Sequence, residues 1–226
     1  MLPYLYSLAH EASKTGHPMI RPLVYHFPTD PYCQSASFEF MLGPFLLVAS
    51  IVEEGATTRP VHLPNGTDWC CIWSGKWYQG GQDVVVEVPL KQHGAVFARN
   101  GSLIPMGGMM KYVGEKPDDE RVVQVYVGHL AGRYEYVMTD DSGENVDGTV
   151  GQVRVWAETS EESDVVTVGL DILVDGGVGI DYHVVWFVLP FNDTRKMVVV
   201  GSGAGERIAD DGRQQVGVFV SKPILD

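Results

Sequence analysis

The residues to weigh first as ligands or general bases are the seven histidines, at positions 10, 17, 26, 62, 93, 129 and 183. No two stand two apart, as on one face of a strand, or four apart, as on one face of a helix, so none has the pair spacing of a metal site. His10 and Glu11 are neighbours, which on a helix turns them about 100° apart. They read as a solvated helix face rather than an acid–base pair. Carboxylates cluster at 53–54, 118–120, 161–162 and 210–211, all in stretches that read as turns, where charge is ordinarily just solvated. No G-x-S-x-G nucleophile elbow is present. The cysteines are Cys33, Cys70 and Cys71. Their number is odd, the adjacent pair points to opposite faces of a strand, and there is no C-x-x-C. Three reduced thiols packed as small hydrophobes are expected, with no disulfide and no zinc. The sequence therefore offers no catalytic residue, no metal site and no cofactor site.

Three stretches imitate sites. Val198-Val199-Val200-Gly201-Ser202-Gly203-Ala204-Gly205-Glu206 looks like a strand entering a phosphate loop, but Glu206 stands where the fingerprint needs its third glycine. A glycine-rich hairpin loop is expected there. Asp140-Asp141-Ser142-Gly143-Glu144-Asn145-Val146-Asp147-Gly148 is rich in oxygen ligands, yet Asn145 occupies the place of the calcium loop's glycine. It reads as an acidic solvated loop, with a weak cation site as the alternative. Trp69, Trp73, Trp77 and Tyr78 are dense in aromatic surface. Trp69 and Trp73 differ by an even number and would share one strand face. The group is either sandwich core or a platform on which sugar rings stack. N-x-[ST] triplets at Asn65, Asn100 and Asn192 matter only on a secretory route.

The elements that would carry these residues are mostly strands. Residues 2–15 predict a helix with an apolar stripe of Leu5, Leu8, Ala9 and Ala12, ended by Gly16 and Pro18. Residues 18–27 predict a strand that Pro22 keeps at an edge or bent. Short strands follow near 45–52, 59–63, 69–73, 83–89 and 95–105, divided by Glu54-Gly55, Pro64-Asn65-Gly66, Ser74-Gly75, Gly80-Gly81 and Asn100-Gly101. This spacing argues for an antiparallel sandwich. After a glycine-then-charge stretch at 107–120, a second block is expected near 121–127, 133–139, 151–158, 164–173, 182–189, 195–200 and 215–221. Its loops include Asp140-Asp141-Ser142-Gly143 and Asp175-Gly176-Gly177. The 226 residues suffice for one large β domain or two small ones. A formal net charge of -13 repels phosphate backbones, which argues against nucleic acid as a partner. No apolar run approaches the roughly 20 residues of a membrane span, and the first residues lack a basic signal-peptide start.

Taken together, Leu2-Pro3-Tyr4-Leu5-Tyr6-Ser7-Leu8-Ala9-His10-Glu11-Ala12 and Gly16-His17-Pro18-Met19-Ile20-Arg21-Pro22-Leu23 resemble the last helix and strand of the catalytic barrel of glycoside hydrolase family 31. Phe40-Met41-Leu42-Gly43-Pro44, Val52-Glu53-Glu54-Gly55-Ala56-Thr57 and Arg99-Asn100-Gly101-Ser102-Leu103-Ile104-Pro105 are similar to its proximal C-terminal sandwich. Asp140-Asp141 and Gly143 look like a turn of its distal sandwich. The resemblance covers roughly 2–107 and thins beyond about 112. It departs from the family at Cys70-Cys71, where Tyr-Asp is usual, at His26, where glutamate is common, and near Ala49-Ser50, where Ala-Pro is usual.

The resemblance implies a mainly β fold: two antiparallel β-sandwiches after one helix and one strand left over from a (β/α)₈ barrel. Its divisions would be 1–30, the end of a barrel; 31–112, a proximal sandwich; and 113–226, a distal one. It implies a parent α-glycosidase that hydrolyses terminal α-linked glucose with two carboxylates on earlier barrel strands. This chain, carrying neither carboxylate, would then be structural or accessory and inactive alone. Its partners would be the missing barrel portion and, through the parent enzyme, an α-glucan or oligosaccharide. Two other readings are a stand-alone carbohydrate-binding module and a subunit that completes another chain's barrel.

Overall fold

The structure, a computed structural model, describes residues 1–89, 94–141, 143, 150–161, 163–174, 180 and 182–220. The fold is mainly β: 49% of the described residues are in strands and 9% in helices. Contacts group the chain into two compact units: Gly16–Asn100, and Met1–Thr15 with Gly101–Asp226. The first helix, α1 (Leu2–Thr15), belongs to the second of these.

The unit 16–100 begins with β1 (Ile20–Pro22) and one helical turn, α2 (Leu23–His26). The strand expected over 18–27 stops at Pro22. Proline has no N–H to extend a ladder. Its φ of -61° and ψ of 151° pass the chain into α2, closed by Phe27 N on Leu23 O at 2.9 Å. Six strands follow: β2 (Glu39–Leu42), β3 (Leu46–Ser50), β4 (Thr58–Leu63), β5 (Asp68–Cys71), β6 (Trp77–Gln79) and β7 (Gln82–Glu87). The last is β8 (Gly94–Arg99). They form a six-stranded sheet, β1-β2-β3-β8-β5-β6, and a β4-β7 ribbon. Alternating side chains close a core between them, with Leu47, Val61, Leu63, Trp69, Val86 and Phe97 at its centre.

The run expected as one strand over 95–105 is two. Asn100 and Gly101, with φ of 88° at Gly101, break it, and β9 (Ser102–Met106) joins the other unit. There it is followed by β10 (Glu120–Tyr126), β11 (Gly132–Asp140), β12 (Gly151–Thr159), β13 (Val165–Val174), β14 (Val184–Val188), β15 (Lys196–Val200), β16 (Gly203–Ile208) and β17 (Gln214–Phe219). A five-stranded sheet, β16-β17-β14-β10-β9, faces a four-stranded one, β11-β12-β13-β15. Valines from both, such as Val123, Val125, Val155, Val168, Val185 and Val218, make the core. Most pairings are antiparallel, but β10–β14 and β13–β15 are parallel.

Two local expectations change here. The glycine-rich stretch is not a hairpin loop, because β15 and β16 lie in different sheets. Gly201, at φ 116°, and Ser202 instead arch the chain from one sheet to the other. The buried face of α1 is Tyr4, Ser7 and Leu8; Leu5 is only half-buried and Ala9 is exposed. Tyr4 meets the Tyr136 ring at 5.8 Å, and Ser7 Oγ accepts Thr139 N–H at 3.0 Å. Those contacts offer more than the small side chains of Ala9 and Ala12, so the helix is rotated from the expected stripe.

Candidate functional site

The aromatic residues singled out above divide among three environments. Trp69 pairs with Tyr78 across β5–β6 and both face the core. Trp69 is fully buried, donates Nε1–H to Pro64 O at 3.0 Å and lies against Phe27. Burial removes it as a sugar contact. Tyr78 is half-buried, edge-on to Phe97, with Lys76 Nζ 4.8 Å from its ring centre. Trp77 pairs with Cys70 on the opposite sheet face and is half-buried. Trp73 does not share a strand face with Trp69, because β5 ends at Cys71. A tight turn, with Gly75 N on Cys71 O at 2.8 Å, carries it outward. It is 42% exposed, and its Nε1–H is fixed on Gly94 O at 3.1 Å. Trp73 is thus the member of the group with an open, oriented ring, and Trp77 a partly open one.

A second constellation gathers around His62 on β4. Asp83 faces it across the ribbon, at 2.6 Å from Nδ1, and Asp30 lies 3.0 Å from Nε2. Tyr32 stacks on the imidazole with ring centres 4.5 Å apart. Its hydroxyl donates to Glu39, which also takes Arg59 at 2.6 Å. Burial pulls the His62 pKa down, but the hydrogen bonds its ring makes to Asp30 and Asp83 outweigh it and the net shift is upward. Burial pushes the neighbouring Cys33 thiol up to about 12, helped by Asp30, so it is no nucleophile. The spacing rules for histidine pairs miss this group. The 59–63 and 83–89 strands, paired as neighbours, would have brought His62 to Asp83, whereas nothing local points to Asp30.

A third gathers around Arg21 on β1. Arg21 donates Nε–H to Pro18 O at 2.6 Å, approaches His26 Nε2 at 3.3 Å and sits over the Tyr25 ring, whose hydroxyl meets His17. Burial, then the Arg21 and Arg99 charges, push the His26 pKa down to about 4. At neutral pH this imidazole has no proton to give from Nε2, and its basicity is spent on Arg21. It serves as neither acid nor base there.

His10 is not simply solvated. Its Nε2 lies 3.2 Å from Asp141, which also accepts Tyr6 O–H at 2.6 Å. Asp140 takes Arg121 at 2.8 Å. Most of the oxygen-rich loop that follows, from Ser142 and Glu144 onward, lies outside the described residues. So does Asp175-Gly176-Gly177. Among the described residues, no group of three or more His, Cys, Asp or Glu side chains is gathered to hold a cation.

Residues 16–104, which contain the aromatic, His62 and Arg21 groups, match the glycosyl hydrolase family 31 C-terminal domain. The chain carries that family 31 domain. Alpha-glucosidase 2 of Bacillus thermoamyloliquefaciens is 34% identical over 143 residues, 63% of this chain and 18% of that protein. The sulfoquinovosidase of Agrobacterium fabrum is 41% identical over 102 residues, 45% of this chain and 15% of that protein. A GH31 dextranase of Flavobacterium johnsoniae, solved in complex with glucose, superposes over 97% of this chain and 30% of its own with a TM-score of 0.79, at 24% identity, and so shares the fold. The chain spans less than a fifth of the length of these two curated relatives. The candidate surface for a ligand is Trp73 with Trp77.

Proposed function

We propose that this chain is the C-terminal, accessory part of a retaining α-glycosidase that removes terminal α-linked glucose. The observation that carries the reading is the family 31 match over 16–104 in a chain that spans less than a fifth of those two relatives. On this reading residues 1–30 complete a barrel, 31–112 form the proximal sandwich and 113–226 the distal one. A nucleophile and an acid/base carboxylate about 5 Å apart, as retention requires, are supplied by the rest of the enzyme. The two sandwiches brace that barrel, and an α-glucan or oligosaccharide is met through it. The names of the relatives, a glucosidase, a sulfoquinovosidase and a dextranase, support a glycosidic substrate and leave the sugar open.

The test is turnover of an aryl α-glucoside by the purified chain, alone and joined to the barrel portion of a family 31 relative. No hydrolysis alone, with hydrolysis by the joined protein, is the expected result. Hydrolysis that co-purifies with the chain alone would overturn the accessory reading. The exposed, oriented ring of Trp73 supports a second reading, a carbohydrate-binding module. Affinity electrophoresis in soluble α-glucan separates the two. Retardation lost in Trp73→Ala and Trp77→Ala would favour the module, and migration unaffected by glucan would dismiss it.

A further inference from the structure

The sequence contains two Asn-Gly dipeptides, Asn65-Gly66 and Asn100-Gly101, and the fold treats them differently. Asn65 and Gly66 are both exposed in the loop between β4 and β5. Gly66 has φ of 89°, a conformation glycine adopts without strain, and a Cβ added there would meet nothing within 4 Å. Its N–H is not held by another strand. It points at the asparagine's own Oδ1, at 2.7 Å. The loop just before Gly66 is pinned: Pro64 O takes Trp69 Nε1–H at 3.0 Å, and Asn65 N–H reaches Asp30 at 3.4 Å. The Gly66 nitrogen is therefore kept beside the Asn65 side-chain carbonyl, in water. At the other dipeptide Asn100 is half-buried and Gly101 buried. The Gly101 N–H is bound to Tyr126 O at 2.8 Å, and a Cβ on Gly101 would stand 2.4 Å from the Tyr134 ring.

We propose that Asn65 is a site of self-catalysed covalent modification, converting to aspartate and isoaspartate. Hydroxide or another solvent base takes the Gly66 amide proton. The nitrogen attacks Asn65 Cγ, a C–N bond forms, and the bond to the side-chain nitrogen breaks, releasing ammonia. Solvent water then opens the five-membered imide at either carbonyl. Nothing is oxidised or reduced. Opening at the main-chain carbonyl leaves the backbone running through the former side chain. Either product puts a new carboxylate next to the pair that holds His62.

The test uses the intact chain, held at 37 °C in mildly alkaline buffer and sampled by peptide mass mapping and by an isoaspartate-specific methyltransferase. Asn65 is expected to convert faster than Asn100 by on the order of tenfold, the factor that one hydrogen bond to the attacking nitrogen can supply. In concentrated urea the two rates should draw together, since both dipeptides are then alike. Equal rates in the folded chain, or a faster Asn100, would overturn the proposal. A rate ratio unchanged by urea would also overturn it, because the fold would then not be the cause. Asn65→Gln should remove methyl acceptance at the β4–β5 peptide; acceptance that persists there would place the modification elsewhere.

Discussion

At His62 two carboxylates compete with burial for one proton, and they win. The groups around it are Asp30, Asp83 and Tyr32, with Glu39 and Arg59 behind the tyrosine. Because the folded pKa is raised, the contribution to stability is fully present below the ordinary value of about 6.5 and is lost as pH rises through the folded value. Thermal unfolding should therefore show a falling Tm on the alkaline side of about pH 6.5. His62→Gln should flatten that slope and cost about 1 kcal/mol below it, as expected for charge-assisted bonds in a partly exposed place. Identical pH profiles for the two proteins would show that another group titrates. Gly169 poses a different constraint. A Cβ there would stand 2.4 Å from the Trp156 ring, across the β12–β13 pair. Gly169→Ala should lower stability by about 1–3 kcal/mol, the usual cost of overpacking. Denaturant midpoints would measure this, and an unchanged midpoint would mean that the indole moves aside at little cost.

Among the elements, α1 shows how a helix can be legible while its orientation is not. Its bounds follow from Gly16 and Pro18, but the face it buries depends on distant partners: Thr139 for Ser7, 132 residues away, and Tyr136 for Tyr4. Tyr4→Ala should destabilise by about 3–5 kcal/mol, and Ser7→Ala by about 1–3 because the Thr139 N–H loses its acceptor. Ala9→Glu, on the exposed side, should be near neutral. Chemical unfolding of the three variants would check the order; a costly Ala9→Glu would restore the stripe first expected. Strand positions were legible from alternation and turn residues because those signals are local. Pro22 marked an interruption, yet only the backbone shows that a helical turn follows. At Gly201-Ser202 the glycines signalled a turn, while the sheet that receives the next strand is chosen by β17, which no local pattern names. The aromatic group failed for a related reason. Even spacing implies a shared face only while a strand continues, and β5 ends before Trp73.

For the molecule as a whole, family membership was legible from ordered motifs, and the mainly β fold from turn spacing. The two parallel pairings were not, because parallel partners leave no mark in the residues between them. The β10–β14 pairing has a consequence in time. Glu120 opposes Val184, so a chain made from its N-terminus holds β10 without this neighbour until β14 has been synthesised. At roughly 5–20 residues per second that interval is several seconds. During it the core side of β10, Val123 and Val125, waits on a sheet that cannot close. Chains arrested before residue 184 should bind a hydrophobic dye that the finished sandwich excludes.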